Sequence, residues 1–253
     1  LVRVFGCTAS KDIAHFTDVS TTAWYYSELS TAAQMNIFNG YGDGTMRPNR
    51  SITRQEAMIV IARAFAVPDG TAADIQAFRD ASSVGSWAVA KVGGLVKAGI
   101  VNGDNGSLHP TASITRAEIA QMLYNLGLQF CSDAAALPAS GRVIYNGAAP
   151  LTADAFTGTL YLGGPAGRDL GGMNITGTLV VRTDPNGTVT VGGTVDTLTV
   201  AAEDTTVAGT GHAGLVRLLA RGCTVTLAAD KTASEYDPML RGVGKVVTDP
   251  VPA

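Results

Sequence analysis

Two stretches of the chain place a short polar cluster directly before an apolar run long enough for a helix. They are 51–65, SITRQEAMIVIARAF, and 114–126, ITRAEIAQMLYNL. Thr53 stands three residues before Glu56, and Thr115 stands three residues before Glu118. This is the spacing of a capping box, in which each of the two side chains accepts a hydrogen bond from the other residue's backbone amide. The pattern predicts two helices with capped N-termini.

Both predicted helices carry apolar residues on most of their faces. A helix of this kind is buried by neighbouring elements rather than lying on a surface. We therefore expect copies of this helix to pack together in a bundle, with their N-termini gathered at one end. A further helix is predicted over 23–37, where apolar residues recur at helical spacing.

The first half of the chain repeats itself at an offset of 62 or 63 residues. The matched pairs include Phe16 and Phe78, Asp18 and Asp80, Trp24 and Trp87, Gly40 and Gly103, Pro48 and Pro110, and Arg54 and Arg116. The opening residues 1–5, LVRVF, also match 61–65, IARAF. We infer two complete helix-loop-helix repeats, at 15–68 and 77–130, preceded at 1–14 by the tail of an earlier copy.

The second half has a shorter repeat. Leu160, Leu179 and Leu198 are 19 residues apart, and Val216 follows 18 residues later. Each unit holds two short alternating strands separated by turn residues such as those at 184–187, DPNG. Such a period predicts a parallel β-solenoid, also called a β-helix. We expect it over 142–230, after a linker at 131–141 and before a C-terminal tail at 231–253, so that the whole chain is multidomain, α followed by all-β.

Composition excludes several classes of function. With Lys+Arg 18 against Asp+Glu 21 and only 15% charged residues, nothing resembles a nucleic-acid-binding surface. The three cysteines, Cys7, Cys131 and Cys223, form no metal-binding or redox pattern. No apolar segment is long enough to span a bilayer, and 1–12 has no signal-peptide pattern, so any export signal would lie outside this chain.

The loop 39–48, NGYGDGTMRP, invites comparison with a calcium-binding loop. Placing Gly44 at the sixth position of an EF-hand puts Tyr41 at the third position and Arg50 at the twelfth, where a carboxylate is required. We therefore predict no metal site here, and no cofactor is expected anywhere in the chain.

Arg54 and Arg116 each fall at the first residue of a predicted helix. Free amides and the helix dipole attract anions there, and a guanidinium adds a bidentate ligand for a carboxylate or phosphate. The alternative is that both arginines pair with nearby acids such as Asp18 or Asp80 at a solvated helix end. The residues alone leave both interpretations open.

Taken together, F-T-D-V…W-Y…G-Y-G-D-G-T-M-R-P…I-T-R-Q-E resembles the S-layer homology domain, and F-R-D-A…W-A…G-I-V-N-G…H-P…I-T-R-A-E is a second such copy. The resemblance implies a helical bundle of the pseudo-trimer type, with glycan-binding grooves between repeats. It also implies non-covalent anchoring of an exported bacterial protein to the cell wall, through a secondary wall polysaccharide with ketal-linked pyruvate, or through peptidoglycan.

The resemblance also assigns roles to individual residues. Arg54 and Arg116 would meet the pyruvate carboxylate, Trp24, Trp87, Gly40 and Gly103 would help to form the grooves, and Asp18 and Asp80 would order the site. A lone tryptophan on a helix can instead belong to the core. Glu56 and Glu118 are interpreted as capping partners of Thr53 and Thr115 rather than as ligands.

The solenoid admits three interpretations. Asp184 and Glu203 are 19 residues apart and could stack as paired carboxylates of a polysaccharide lyase or hydrolase. Both lie in turn segments, however, where acidic residues make local hydrogen bonds. We therefore prefer a non-enzymatic module displayed at the cell surface, with self-association into an S-layer lattice as the remaining alternative.

Overall fold

A computed structural model of the chain describes residues 1–234 and 245–246. The chain divides into two compact units. The helical unit contains 12–29 and 36–127, and the solenoid unit contains 1–11, 30–35 and the described residues from 128 onward. No helix within these residues is both long enough and apolar enough to cross a membrane.

Six α-helices precede the strands. In chain order they are α1 (Val2–Phe5), α2 (Tyr26–Gln34), α3 (Arg54–Ala64), α4 (Ala72–Ile75), α5 (Val89–Lys97) and α6 (Arg116–Asn125). The helix predicted over 23–37 is present, but it starts and ends about one turn inside those bounds. Asn36 follows α2 with a φ of 55°, and Gly99 follows α5 with a φ of 69°, so both take the left-handed backbone expected after a helix.

The two helices that begin with the repeated motif differ in burial. Eight residues of α3 are buried, among them Met58 and Ile61, whereas Met122 is the one buried residue of α6. The principal helical neighbour of α3 is α5 of the next repeat. α3 is therefore buried as expected, but by α5 of the second repeat and not by its sister helix α6. The expectation of burial is wrong for α6, because no repeat within the described residues covers it as the second repeat covers α3.

Twelve strands follow in the described part of the chain. They are β1 (Leu128–Cys131), β2 (Ser140–Tyr145), β3 (Ala155–Leu162), β4 (Arg168–Asp169), β5 (Asn174–Val181), β6 (Thr188–Thr190), β7 (Thr194–Val200), β8 (Thr206–Ala208), β9 (His212–Leu218), β10 (Thr224–Val225), β11 (Ala228–Ser234) and β12 (Lys245–Val246).

The strands form a parallel β-solenoid. One sheet has the order β1-β2-β3-β5-β7-β9-β11, and the other has the order β12-β10-β8-β6-β4. From β3 to β10 the chain alternates between the two sheets, which is what a coil with two strands requires. The strands extend beyond the predicted 142–230 range at both ends. Most of the C-terminal tail predicted at 231–253, including its prolines at 238, 250 and 252, lies outside the described residues.

The leucines that revealed the repeat form one column of the solenoid core. Leu160 pairs in register with Leu179, Leu179 with Leu198, and Leu198 with Val216. All four side chains are 0% exposed. At roughly 1.5–3 kcal/mol for each fully buried aliphatic side chain, this column stabilises the stacking of successive coils. The 19-residue period in the sequence therefore corresponds to core residues that stack in register on successive coils.

The pairing register shifts by one residue between β5 and β7. Ile175 pairs with Val195, but Thr178 pairs with Thr197, so β5 carries one extra residue. The extra residue disturbs the ladder as a β-bulge does. The amide of Gly177 in the bulge donates instead to the carboxylate of Asp196 on β7, at 2.8 Å.

Candidate functional site

Both repeats form the capping box at the start of their motif helix. At α3, the amide of Thr53 donates to Oε2 of Glu56 at 2.7 Å, and the amide of Glu56 donates to Oγ1 of Thr53 at 3.4 Å. At α6, Thr115 and Glu118 make the same two bonds, at 2.7 and 3.2 Å. Each box uses one carboxylate oxygen of its glutamate, so Oε1 remains available to a second partner.

Arg54 of the first repeat is the second partner of Glu118 in the neighbouring repeat. Its Nη1 lies 2.6 Å from Oε1 of Glu118, and its Nε donates to the carbonyl of Leu108 at 2.9 Å. The residue is 7% exposed. Arg54 is therefore not free to meet a ligand. It pairs with an acid, as the alternative interpretation expected, but the acid is Glu118 of the next repeat and not Asp18 or Asp80, and the pair is not at a solvated helix end.

The N-terminus of α3 is also occupied by the second repeat. The amide of Arg54 donates to the carbonyl of Ala112 at 2.9 Å, and the amide of Gln55 donates to the carbonyl of Pro110 at 3.0 Å. With the amide of Glu56 engaged by Thr53, the first three amides of α3 all have partners. The anion-binding position predicted at this helix end is therefore already filled by the chain itself.

The N-terminus of α6 is different. Arg116 is exposed, and within 1–234 and 245–246 its guanidinium makes no hydrogen bond or ion pair. The first two amides of α6, those of Arg116 and Ala117, likewise have no backbone partner in that part of the chain. Of the two motif arginines, Arg116 is the one placed to meet an external anion.

In the first repeat, the corresponding carboxylate oxygen has a partner from its own repeat. Oε1 of Glu56 accepts from Nη2 of Arg50 at 2.6 Å and from the hydroxyl of Tyr41 at 2.8 Å. Burial alone would raise the pKa of Glu56, but the bonds from Thr53 and Tyr41 and the charge of Arg50 outweigh burial and lower it. This pairing was not predicted from the sequence, although Ala112 stands at the place of Arg50 in the second repeat and so marks a difference between the two repeats.

Asp18 and Asp80 hold the loop that precedes each motif helix. Asp18 accepts from the amides of Met46 and Arg47 at 2.8 and 2.7 Å. Asp80 accepts from the amides of Leu108 and His109, also at 2.8 and 2.7 Å. In both loops the second donor has a positive φ of 51°, an unusual backbone for a residue with a side chain. The paired bonds stabilise that turn.

Asp80 and Arg54 act on the same residue from opposite sides. The amide of Leu108 donates to Asp80, and its carbonyl accepts from Arg54. Leu108 itself is fully buried. The carboxylate of one repeat and the guanidinium of the other therefore fix the same peptide segment, which links loop order to the contact between repeats.

Both tryptophans are on the surface and not in the core. Trp24 is 89% exposed and Trp87 is 58% exposed, and each precedes the helix of its repeat rather than lying within it. The ring of Trp24 meets that of Tyr25 edge to face, with 5.7 Å between centroids. Exposed indole faces suit contact with the C–H surface of a sugar.

Gly40 and Gly103 support an aromatic ring in each repeat. Both have a positive φ, of 73° and 71°. A Cβ added at Gly40 would lie 2.5 Å from the ring of Phe16, and one at Gly103 would lie 2.5 Å from the ring of Phe78. Their structural role is therefore to let the loop approach these rings closely.

In the solenoid unit, Asp184 and Glu203 bind other parts of the same unit. Asp184 accepts from the amides of Thr8 and Ala9, each at 2.9 Å. Glu203 is 6% exposed and lies 3.4 Å from the amino group of Lys11 and 3.4 Å from the guanidinium of Arg221. Both carboxylates therefore have partners within the solenoid unit, and their positions are accounted for by these contacts. Within the described residues no group of three or more His, Cys, Asp or Glu side chains could hold a metal ion.

Comparison with known proteins identifies the two repeats. The S-layer homology domain family matches at 15–58 and 77–120, so the chain carries two S-layer homology domains. This confirms the family resemblance read from the repeated motifs. No solved structure matches the chain at a significant level.

Several curated proteins are similar over the same region. A surface-layer 125 kDa protein of Lysinibacillus sphaericus is 35% identical over 111 residues, covering 42% of this chain and 9% of that protein. A cellulosome-anchoring protein of Acetivibrio thermocellus is 31% identical over 113 residues, covering 43% and 25%. An exoglucanase of Acetivibrio thermocellus, XynX, is 34% identical over 115 residues, covering 44% and 10%. This chain thus spans a quarter or less of the length of these three relatives.

Proposed function

We propose that the two S-layer homology domains anchor an exported protein to the bacterial cell wall, by binding a secondary wall polysaccharide that carries ketal-linked pyruvate. In this proposal the solenoid is a module displayed at the cell surface. The observation that carries the proposal is the pair of family matches at 15–58 and 77–120. Support comes from the relatives, which include a surface-layer protein, a cellulosome-anchoring protein and an exoglucanase.

The geometry favours Arg116 as the residue that meets the pyruvate carboxylate. Its guanidinium is exposed, and it stands beside two amides at the positive end of the α6 dipole. A carboxylate placed there could accept two parallel bonds from the guanidinium. Arg54 has the same place in its motif, but it would have to leave Glu118 and the carbonyl of Leu108 before it could bind a ligand.

The remaining predicted site residues have two kinds of role in this proposal: some contact the glycan, and the others order the loops and helix ends around it. Trp24 and Trp87 present exposed indole surfaces to which a pyranose ring can bind. Asp18, Asp80, Gly40 and Gly103 act through the loops that they order. Thr53, Glu56, Thr115 and Glu118 fix the helix ends, and Glu118 also holds Arg54 in place.

Co-sedimentation with purified cell walls tests the proposal. Walls whose polysaccharide carries ketal-linked pyruvate should pull the protein down, and walls from which the pyruvate has been removed by mild acid should not. Equal sedimentation with both preparations would reject the carboxylate as the ligand. Failure to sediment with either preparation would reject wall anchoring itself.

A further inference from the structure

Gln55 joins three segments at the boundary between the repeats. It is the second residue of α3 and is 8% exposed. Its side-chain Oε1 accepts from the amide of Gly85 at 2.9 Å, and its own amide donates to the carbonyl of Pro110 at 3.0 Å. Gln55 therefore fixes two separate loops of the second repeat against the start of α3.

Gly85 begins the turn that carries Trp87. The carbonyl of Gly85 accepts from the amide of Ala88 at 2.7 Å, and Ala88 is a fully buried residue at the start of α5. Trp87 lies between these two ends. The amide end of the turn is held by Gln55 and the other end by Ala88, so the backbone of Trp87 is restrained on both sides.

The indole of Trp87 lies directly against Gly85. A Cβ added at Gly85 would be 2.5 Å from Nε1 and 2.9 Å from Cε2 of the indole, closer than non-bonded atoms approach. Gly85 does not need glycine for its backbone conformation, since it is absent from the residues of positive φ. The glycine is therefore explained by the position of the ring above it.

The first repeat lacks this arrangement. Thr22, not glycine, stands two residues before Trp24, and Trp24 is considerably more exposed than Trp87. In α6, Ala117 occupies the position that Gln55 has in α3, and its methyl group cannot accept a hydrogen bond. Within the two repeats, only the turn of Trp87 is held by a side chain of the neighbouring motif helix.

We infer that Gln55 is a positioning residue for a carbohydrate subsite in which a pyranose ring of the wall glycan stacks on Trp87. This inference rests on the proposed function. An indole held in place before the ligand arrives loses less rotational freedom on binding, which is the usual benefit of preorganisation. The two tryptophans then differ in role, with Trp87 as the ordered surface and Trp24 as an adaptable one.

The test uses a single-tryptophan protein. The sequence contains two tryptophans, so Trp24→Phe leaves Trp87 as the sole source of indole fluorescence. In that background, Gln55→Ala should make Trp87 more accessible to quenching by acrylamide. Gln55→Glu keeps an acceptor for the amide of Gly85, so its quenching should remain near that of the parent. Gln76→Ala, at an exposed glutamine, is the matched control.

Binding of purified pyruvylated wall polysaccharide, measured by calorimetry on the same Gln55 and Gln76 variants made in the parent protein that retains both tryptophans, completes the test. Gln55→Ala should weaken binding by about three- to tenfold, the range given by the loss of one neutral hydrogen bond. Unchanged quenching in Gln55→Ala would overturn the positioning role, and increased quenching with unchanged affinity would overturn the subsite. If the parent protein binds no glycan, the proposed function fails, whereas the quenching comparison still decides whether Gln55 positions Trp87.

Discussion

The guanidinium of Arg54 lies 2.6 Å from the carboxylate of Glu118, so the motif arginine of one repeat is bound to the motif glutamate of the next. The same glutamate caps its own helix with its other oxygen. One carboxylate thus serves both the start of α6 and the contact between repeats. The arrangement gives the two arginines of the repeated motif different roles, because Arg54 is buried in this contact and Arg116 is exposed.

Replacement of Arg54 should therefore reduce stability more than replacement of Arg116. Arg54→Ala removes the bond to Glu118 and leaves the carbonyl of the buried Leu108 without its donor. Because the side chain of Glu118 is 39% exposed, solvent screens the ion pair, and we expect a cost of about 1–2 kcal/mol. Arg116→Ala should change stability by less than about 0.5 kcal/mol. Urea unfolding of both variants measures the difference, and equal midpoints would contradict the assigned roles.

Acid should destabilise the helical unit through its carboxylates. Hydrogen bonds from Thr115, followed by the charge of Arg54, hold the pKa of Glu118 below its usual range. For Asp80, burial would raise the pKa, but the amides of Leu108 and His109 outweigh it and lower the pKa. A carboxyl with a lowered folded-state pKa stabilises the fold above its unfolded pKa, and this contribution is lost as the pH falls through the folded value.

The thermal midpoint should therefore stay nearly constant from pH 7 to 5 and fall below about pH 4.5, where unfolded carboxyls begin to take up protons. Asp80→Asn should begin with a lower midpoint and lose less of it on acidification, since it has one titrating group fewer. Scanning calorimetry at half-unit pH steps follows both proteins. Parallel curves for the two would show that Asp80 does not contribute to the acid response.

Gly177 should be intolerant of a side chain. Its φ is 126°, and an added Cβ would lie 2.2 Å from the carbonyl oxygen of Gly158 on the preceding coil. Gly177→Ala should therefore destabilise the solenoid by several kcal/mol, since it combines backbone strain with a backbone clash. Gly172→Ala is the control, because nothing lies within 4 Å of its added Cβ. Comparable unfolding midpoints for the two variants would contradict the close approach of Gly177 to the carbonyl of Gly158.

Asp184 should hold the N-terminal segment rather than act on a substrate. Asp184→Ala removes the acceptor of the amides of Thr8 and Ala9, so hydrogen exchange at these two amides should accelerate by roughly tenfold or more. Asp154→Ala, at an exposed aspartate, should leave both rates unchanged. Unaltered exchange in Asp184→Ala would reopen the interpretation of Asp184 as a catalytic carboxylate.

Much of the fold could be predicted because it depends on local periodicity. The recurrence of Leu160, Leu179 and Leu198 corresponds to one buried column, and the spacing of Thr53 and Glu56 corresponds to a formed capping box. Both features are set by residues that are neighbours on one strand ladder or one helical turn.

The roles of individual site residues could not be predicted in the same way. The bond from Arg54 to Glu118 joins residues 64 apart, and that from Thr8 to Asp184 joins residues 176 apart. Whether Arg54 is buried and Arg116 exposed depends on which repeat covers each helix, and this is a tertiary contact that the shared motif does not encode. The contact made by Gln55 could not be predicted from the sequence either, because its partner Gly85 is 30 residues away.

Titration of purified pyruvylated wall polysaccharide into the Arg116→Ala protein tests the central claim most directly. Loss of a charge-assisted contact to the pyruvate carboxylate should weaken binding by about ten- to a hundredfold. Arg79→Ala, which removes another exposed arginine of the same repeat, should bind as the parent does. Parent-like affinity of the Arg116→Ala protein would contradict the claim that the open start of α6 receives the wall glycan.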